Sequence, residues 1–145
     1  MLCEIRGTCF DGEYSIKNMM LRQHIFKEME TLNSLECLML CKEDVRCQSF
    51  NYGINQDICE LNNRTKEAAP KHFVQNFKRY YVGLRYCLSS PVPLGSIPEL
   101  PAKSCKEIKE SEGEQAVSGK YWFDSIRPWK TILAHCDMNT QGDKS

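Results

Sequence analysis

Residues 34–61, SLECLMLCKEDVRCQSFNYGINQDICEL, set Cys37, Cys41, Cys47 and Cys59 around one helix-like segment and two strand-like runs. Cys37 and Cys41 stand four residues apart, so on a helix both thiols share one face, a turn apart. Asn33 offers an N-cap with Glu36 as its return contact, and Leu35, Leu38 and Met39 are the apolar side chains expected to be buried. The helix is predicted from Ser34 to about Val45. Residues 48–52 then alternate with a period of two, Phe50 and Tyr52 on one face and Ser49 and Asn51 on the other, which predicts a strand. Residues 53–57 supply turn chemistry and residues 58–61 a second strand, so a hairpin presents Cys47 and Cys59 near the helix as partners for its thiols. The reading is a small helix stapled onto a sheet.

Working outward, residues 11–16 and 24–29 place Tyr14, Ile16, Ile25 and Phe26 between polar residues, as half-exposed strands do. Met19, Met20 and Leu21 between them are read as a turn with an apolar plug. Residues 62–71 are polar and read as a loop; residues 80–86 look like a closing strand that ends at Cys87. Residues 88–101 hold four prolines, a composition that favours extended, semi-rigid chain, and are taken as a linker. A second unit, residues 102–145, opens on a capping box, Ser104 with Glu107, and a short helix from Cys105 to about Glu110. Aromatic residues 120–124 and residues 131–136 are its strands, and Cys105 with Cys136 would close it.

The chain has 145 residues, room for one ordinary domain or a small domain plus a fragment. Nineteen basic residues balance nineteen acidic ones, with no run of either sign, which argues against nucleic acid and anionic membranes as partners. Nine cysteines in so short a chain suit a disulfide framework in an oxidising, secreted or extracellular setting. Residues 1–4 show no signal peptide, so the expectation is a fragment, a misplaced start or a different compartment. No apolar run approaches the roughly 20 residues needed to span a bilayer. Asn63-Arg64-Thr65 is a glycosylation sequon, with Asn63 as its acceptor.

The pattern of residues 34–37, Cys41, residues 47–52 and residues 59–62 strongly resembles the PAN/apple module, over residues 9–87. The resemblance implies an α+β fold, a helix packed on a curved antiparallel sheet, with disulfides Cys37–Cys59 and Cys41–Cys47 and a terminal pair from Cys9 or Cys3 to Cys87. In the chain-entropy model the first pair would contribute about 3 kcal/mol and the terminal pair about 4 to 5 kcal/mol. At residues 21–24 the chain has Leu-Arg-Gln-His where many relatives have Leu-x-Gly-His. The second unit, from Pro101 through Trp122 to Met138, resembles the opening of a fibrinogen-like C-terminal domain and is similar to the collagen C-propeptide opening. Both families continue past this point, so no calcium or ligand site is carried over.

Other chemistries fit less well. A tetrahedral zinc site of Cys37, Cys41, Cys47 and Cys59 would more usually use tighter paired knuckles. His135 and Cys136 are strand neighbours and point to opposite faces, so they cannot work as a nucleophile pair; His24 and His72 with an odd thiol are the remaining pairing. No catalytic residue and no cofactor is assigned. Nine is odd, and Cys3 is read as the unpaired thiol because Cys9 sits closer to the first strand. Its plainer meaning is a truncated chain whose partner cysteine is lost, and its sharper one an intermolecular bridge that makes a disulfide-linked oligomer. Phe50, Tyr52, Tyr80, Tyr81 and Tyr86 are read as packing rather than as a sugar platform, and Lys78-Arg79 with Arg64 and Lys66 as solvated charge rather than a sulfated-glycan patch. The expected protein is a non-enzymatic extracellular module binding a protein or glycan. The alternatives are a matrix component cross-linked through the odd cysteine and a non-catalytic segment of a secreted protease zymogen.

Overall fold

The computed structural model describes residues 15–84, 92–125 and 130–139. The chain divides into two compact units, Met1–Pro91 and Val92–Ser145. The first unit is α+β. Its strands β1 (Ser15–Leu21), β2 (Ile25–Glu30), β3 (Ser49–Gly53), β4 (Ile58–Asn62) and β5 (Phe73–Gly83) form one antiparallel sheet in the order β1-β5-β3-β4-β2, with helix α1 (Ser34–Glu43) on one face.

Strands β1 and β2 are consecutive in the chain yet lie at opposite edges of the sheet, joined by Arg22, Gln23 and His24. In a flat sheet the edges of five strands would stand about 19 Å apart at ~4.8 Å per spacing. The connection reaches no further than about 14 Å at ~3.5 Å per residue. The sheet must therefore curl. The curl carries Leu21 across the back of β3, where the Asn51 side chain binds both of its backbone groups: Oδ1 accepts the Leu21 N–H (2.9 Å) and Nδ2 donates to the Leu21 carbonyl (2.8 Å). Met19, Met20 and Leu21, expected as a turn, are thus the last residues of β1. The turn comes three residues later than expected because a bulge at Asn18 (φ 66°) resets the register with β5 and lets the strand run on.

Helix α1 starts as its sequence dictates. Asn33 Oδ1 accepts the Glu36 N–H (2.9 Å), and Glu36 Oε1 reaches back to the Leu32 N–H (2.7 Å). The helix ends two residues before the expected Val45. Asp44 there holds Arg46 through a two-pronged ion pair, and Arg46 lies over the Phe26 ring at 4.4 Å. Cys37, Leu38 and Cys41 face the sheet and pack with Phe50, Tyr52, Leu61 and Val82 in the front core. Leu35 and Met39, expected to be buried, remain 51% and 48% exposed. The two disulfides pull the Cys37/Leu38/Cys41 face down, which turns Leu35 and Met39 onto the flank.

The back face is a polar row under a lid. Asn62 Nδ2 donates to Ser49 Oγ, Ser49 Oγ donates to the Arg64 carbonyl, and Asn51 Nδ2 also reaches Glu60, which pairs with Arg79 at 3.1 Å. Of residues 62–71, expected as a polar loop, Asn62 ends β4 and the rest close over this row: Arg64, Thr65, Ala68 and Ala69 are buried, and Leu21, Ala69 and Tyr81 form a second small apolar cluster. Buried polar groups need partners, so a polar sequence here packs rather than dissolves. Strand β5 begins at Phe73, seven residues before the expected Tyr80.

The second unit carries helix α2 (Cys105–Glu112) and a hairpin of β6 (Gly119–Asp124) and β7 (Thr131–Cys136). Ser104 caps α2 by accepting the Glu107 N–H, and Glu107 Oε1 returns to the Lys103 N–H. Residues 92–101, read as linker, pack as part of this unit: Leu94 and Leu100 are buried with Ile108, Tyr121 and Phe123. Their prolines shape turns rather than a spacer. Gly95, at φ 82°, exchanges backbone hydrogen bonds with Leu100 and Trp122, and a Cβ there would meet Ile108 at 3.2 Å and Tyr121 at 3.3 Å.

Candidate functional site: a groove beside the stapled helix

The staples fix where the helix lies on the sheet. Cys37 bonds Cys59 near the start of β4, and Cys41 bonds Cys47 at the entrance to β3. Helix α1 consequently covers β3 and β4 and leaves the β5 and β1 side of the same face open. Register places Ser15 and Lys17 of β1, Tyr80 and Val82 of β5 and Phe50 of β3 on that open side. Together with Ser34, Leu35 and Leu38 of the helix and with Ile54 they line a groove of about 580 Å³. That volume lies within the roughly 300–1,000 Å³ range of ligand pockets. Phe50, Tyr80 and Val82 form its floor, the helix one wall and the outer strand β1 the other. Its described lining has one charge, Lys17, which is exposed and has no carboxylate in salt-bridge reach among the described residues.

One end of the floor is held by Tyr52. Its hydroxyl donates to Asp57 Oδ1 (3.1 Å) and accepts from Thr31 Oγ1 (3.4 Å), and its ring lies 5.8 Å from that of Tyr80. Burial first, then the Asp57 carboxylate, pushes the Tyr52 phenol above its ordinary pKa. At the far end of α1 the side-chain hydrogen bond from Arg46 outweighs burial and holds the Asp44 carboxyl below its ordinary value.

The remaining residues singled out from sequence fall as follows. Cys105 bonds Cys136 within the second unit. Cys3, Cys9 and Cys87, and with them the terminal pair, the odd thiol and Tyr86, lie outside the described residues. Asn63 is half-buried, its N–H donating to the His24 carbonyl, and the sequon's Thr65 is buried with Oγ1 accepting from Ala68. Phe50, Tyr52 and Tyr81 are core residues. Arg79 is engaged by Glu60 and Gln56, so the Lys78-Arg79 and Arg64 groups form no open basic patch. His24 and His72 face each other at 2.9 Å across the back lid. The four central cysteines, weighed as zinc ligands, are spent in disulfides, and no group of three or more His, Cys, Asp or Glu gathers among the described residues. The groove itself was not anticipated. The sequence hides it, because Leu35 reads there as a buried residue of the helix.

A helix bolted by two disulfides to a curled five-stranded sheet, with an apolar groove at its side, defines a small disulfide-rich binding module. The PAN domain family matches residues 9–87, more than half of the chain, and the chain belongs to that family. PAN domains are non-catalytic modules of extracellular proteins that bind protein or carbohydrate. No curated protein matches the chain. Among the described residues no helix is long and apolar enough to cross a membrane.

Proposed function

We propose that this chain is a secreted adhesion or recognition module that holds its ligand in the groove between α1 and β1. The observation that carries this reading is the contiguous apolar lining of the open groove, where Leu35, Leu38, Phe50, Ile54 and Val82 meet around about 580 Å³. The second unit accompanies the module as a subdomain whose sequence resembles the opening of a fibrinogen-like domain.

The test uses the full chain, expressed through a secretory pathway, on arrays of secreted proteins and of glycans. Leu35→Asp leaves the buried core untouched, since Leu35 is half exposed, and an unchanged disulfide map will establish that the variant is folded. Binding to the array ligand is expected to fall at least tenfold. A ligand held equally well by both proteins would place the site elsewhere on the module. The alternative of a matrix component tethered through the odd cysteine requires a covalent multimer on a non-reducing gel.

A further inference from the structure

We infer that the groove takes a free, single-chain amphiphile of the fatty-acid kind, its carboxylate against Lys17 on the β1 lip and its hydrocarbon chain on the floor and the helix wall. The inference rests on the groove being the binding site and goes further by naming what fills it.

The two walls of the groove differ in kind. On β1 the residues facing the groove are Ser15 and Lys17, while Ile16 between them turns to the back and packs on the Leu21, Ala69 and Tyr81 cluster. This lip is polar and cationic. Lys17 is the single charge in the described lining, exposed and without a carboxylate in salt-bridge reach among the described residues. The floor and the opposite wall are mostly hydrocarbon. Leu38, Phe50 and Val82 are buried at the bottom, so the apolar surface a ligand meets is that of Leu35 with the half-buried Ile54 and Tyr80. One cation facing an apolar wall complements a ligand with one anion and an apolar body. The small extent of that wall suits a single medium-length chain rather than a two-chain lipid.

The backbone around the groove argues against a peptide. Strands β3 and β5 are each paired on both sides, and the unpaired edge of β1 faces away from β5 and so away from the groove. The N–H and C=O groups of a peptide seated inside would therefore leave water for no sheet partner. A glycan meets the same obstacle at each hydroxyl it buries. Hydrocarbon carries no such groups. Its one carboxylate can accept from Lys17 and from the hydroxyl of Tyr80, the direct cross-strand neighbour of Lys17.

The probes are sodium octanoate, sodium decanoate, decanol, decylammonium chloride, the blocked peptide Ac-Leu-Asp-Phe-Leu-NH2 and lactose. Each is titrated, below micelle-forming concentrations, into the 15N-labelled full chain while the amide resonances of Lys17, Leu35 and Ile54 are followed. Decanoate is expected to shift all three. It should bind about two- to fivefold more tightly than decanol at low salt, the range of one exposed ion pair, and decylammonium should bind more weakly than either. Two added methylenes should make decanoate at least about fourfold tighter than octanoate, where complete burial would give about fifteenfold. Lys17→Met keeps an apolar stem and removes the charge, and should bring decanoate to the affinity of decanol.

Equal affinity for decanoate, decanol and decylammonium overturns the pairing with Lys17, and equal affinity for octanoate and decanoate overturns the seating of the chain. The peptide shifting these resonances more strongly than decanoate makes the groove a protein site and overturns the inference, and lactose doing so makes it a glycan site. If decanoate leaves the resonances unmoved while an array ligand remains sensitive to Leu35→Asp, the inference fails and the groove stands as the binding site. Unmoved resonances together with an array ligand blind to Leu35→Asp remove both.

Discussion

Gln23 sits at φ 71°, in the left-handed region that favours glycine, and its side chain is exposed. It occupies the position where the sequence departs from Leu-x-Gly-His, and the departure changes the residue while the backbone keeps a glycine-like conformation. A side chain there is strained by about 1–2 kcal/mol, partly offset by the greater chain entropy that glycine loses on folding. Gln23→Gly should therefore raise the unfolding free energy by about 0.5–1 kcal/mol in urea titration, and a loss of stability would mean that the Gln23 side chain contributes something its exposure does not suggest. Tyr52 gives a second outcome. Its folded pKa is raised above the ordinary value near 10, so its contribution is complete below pH ~10 and is lost as pH rises through the folded value. With free thiols alkylated, wild type should lose stability as pH rises above about 10, whereas Tyr52→Phe, about 0.5–1.5 kcal/mol weaker at pH 8, should lose less. At this scale the caps were legible, because Asn33 and Ser104 act on their own neighbours. Exposure of Leu35 and Met39 was not, because it depends on which face two distant cysteines pull down.

Among elements, the helix and the β3–β4 hairpin could be read directly, since Phe50 and Tyr52 alternate with Ser49 and Asn51 and every one of those residues is buried in the sheet as placed. The extent of β1 and of β5 could not. Met19 to Leu21 belong to a strand only because Asn18 resets the register, and residues 73–79 carry Gln75, Asn76, Lys78 and Arg79, a composition that hides a strand whose Phe77 points to solvent. Arg64 and Thr65, in a polar segment, are buried for a reason located elsewhere, the row of Ser49, Asn51, Glu60 and Asn62 that requires cover. The staples differ in leverage. Cys37–Cys59 spans 22 residues and Cys41–Cys47 spans 6. Chain entropy assigns them about 3 and about 2 kcal/mol. Replacing each pair by alanines should lower urea stability in that order. The first replacement should also loosen the groove wall, seen as faster proteolysis around Leu35. The opposite order would show that the short loop fixes the helix.

For the whole molecule, the sequence reading divides the chain at the proline run 88–101, whereas the compact units meet at Pro91 and Val92, inside that run. Four prolines between residues 88 and 101 read as spacer, yet Leu94 and Leu100 recur at a separation that two turns bring onto one core. A non-reduced peptide map of secreted protein should return Cys37–Cys59, Cys41–Cys47 and Cys105–Cys136, together with Cys9–Cys87, one free thiol at Cys3 and a glycan on Asn63. A Cys3–Cys87 peptide would reverse the assignment at the amino end, and a bare Asn63 would remove the glycan. The curl of the sheet has one more outcome. Edge strands ordinarily fray one at a time, and their amides exchange with solvent long before the centre opens. Here Arg22, Gln23 and His24 are too short to let β1 lift without pulling β2, and Leu21 at the end of the tether is anchored to Asn51 in the middle strand. The two borders of the sheet are thus a single mechanical unit. Deuterium should enter Leu21 and Ile25 through one shared opening, as slowly as it enters the centre.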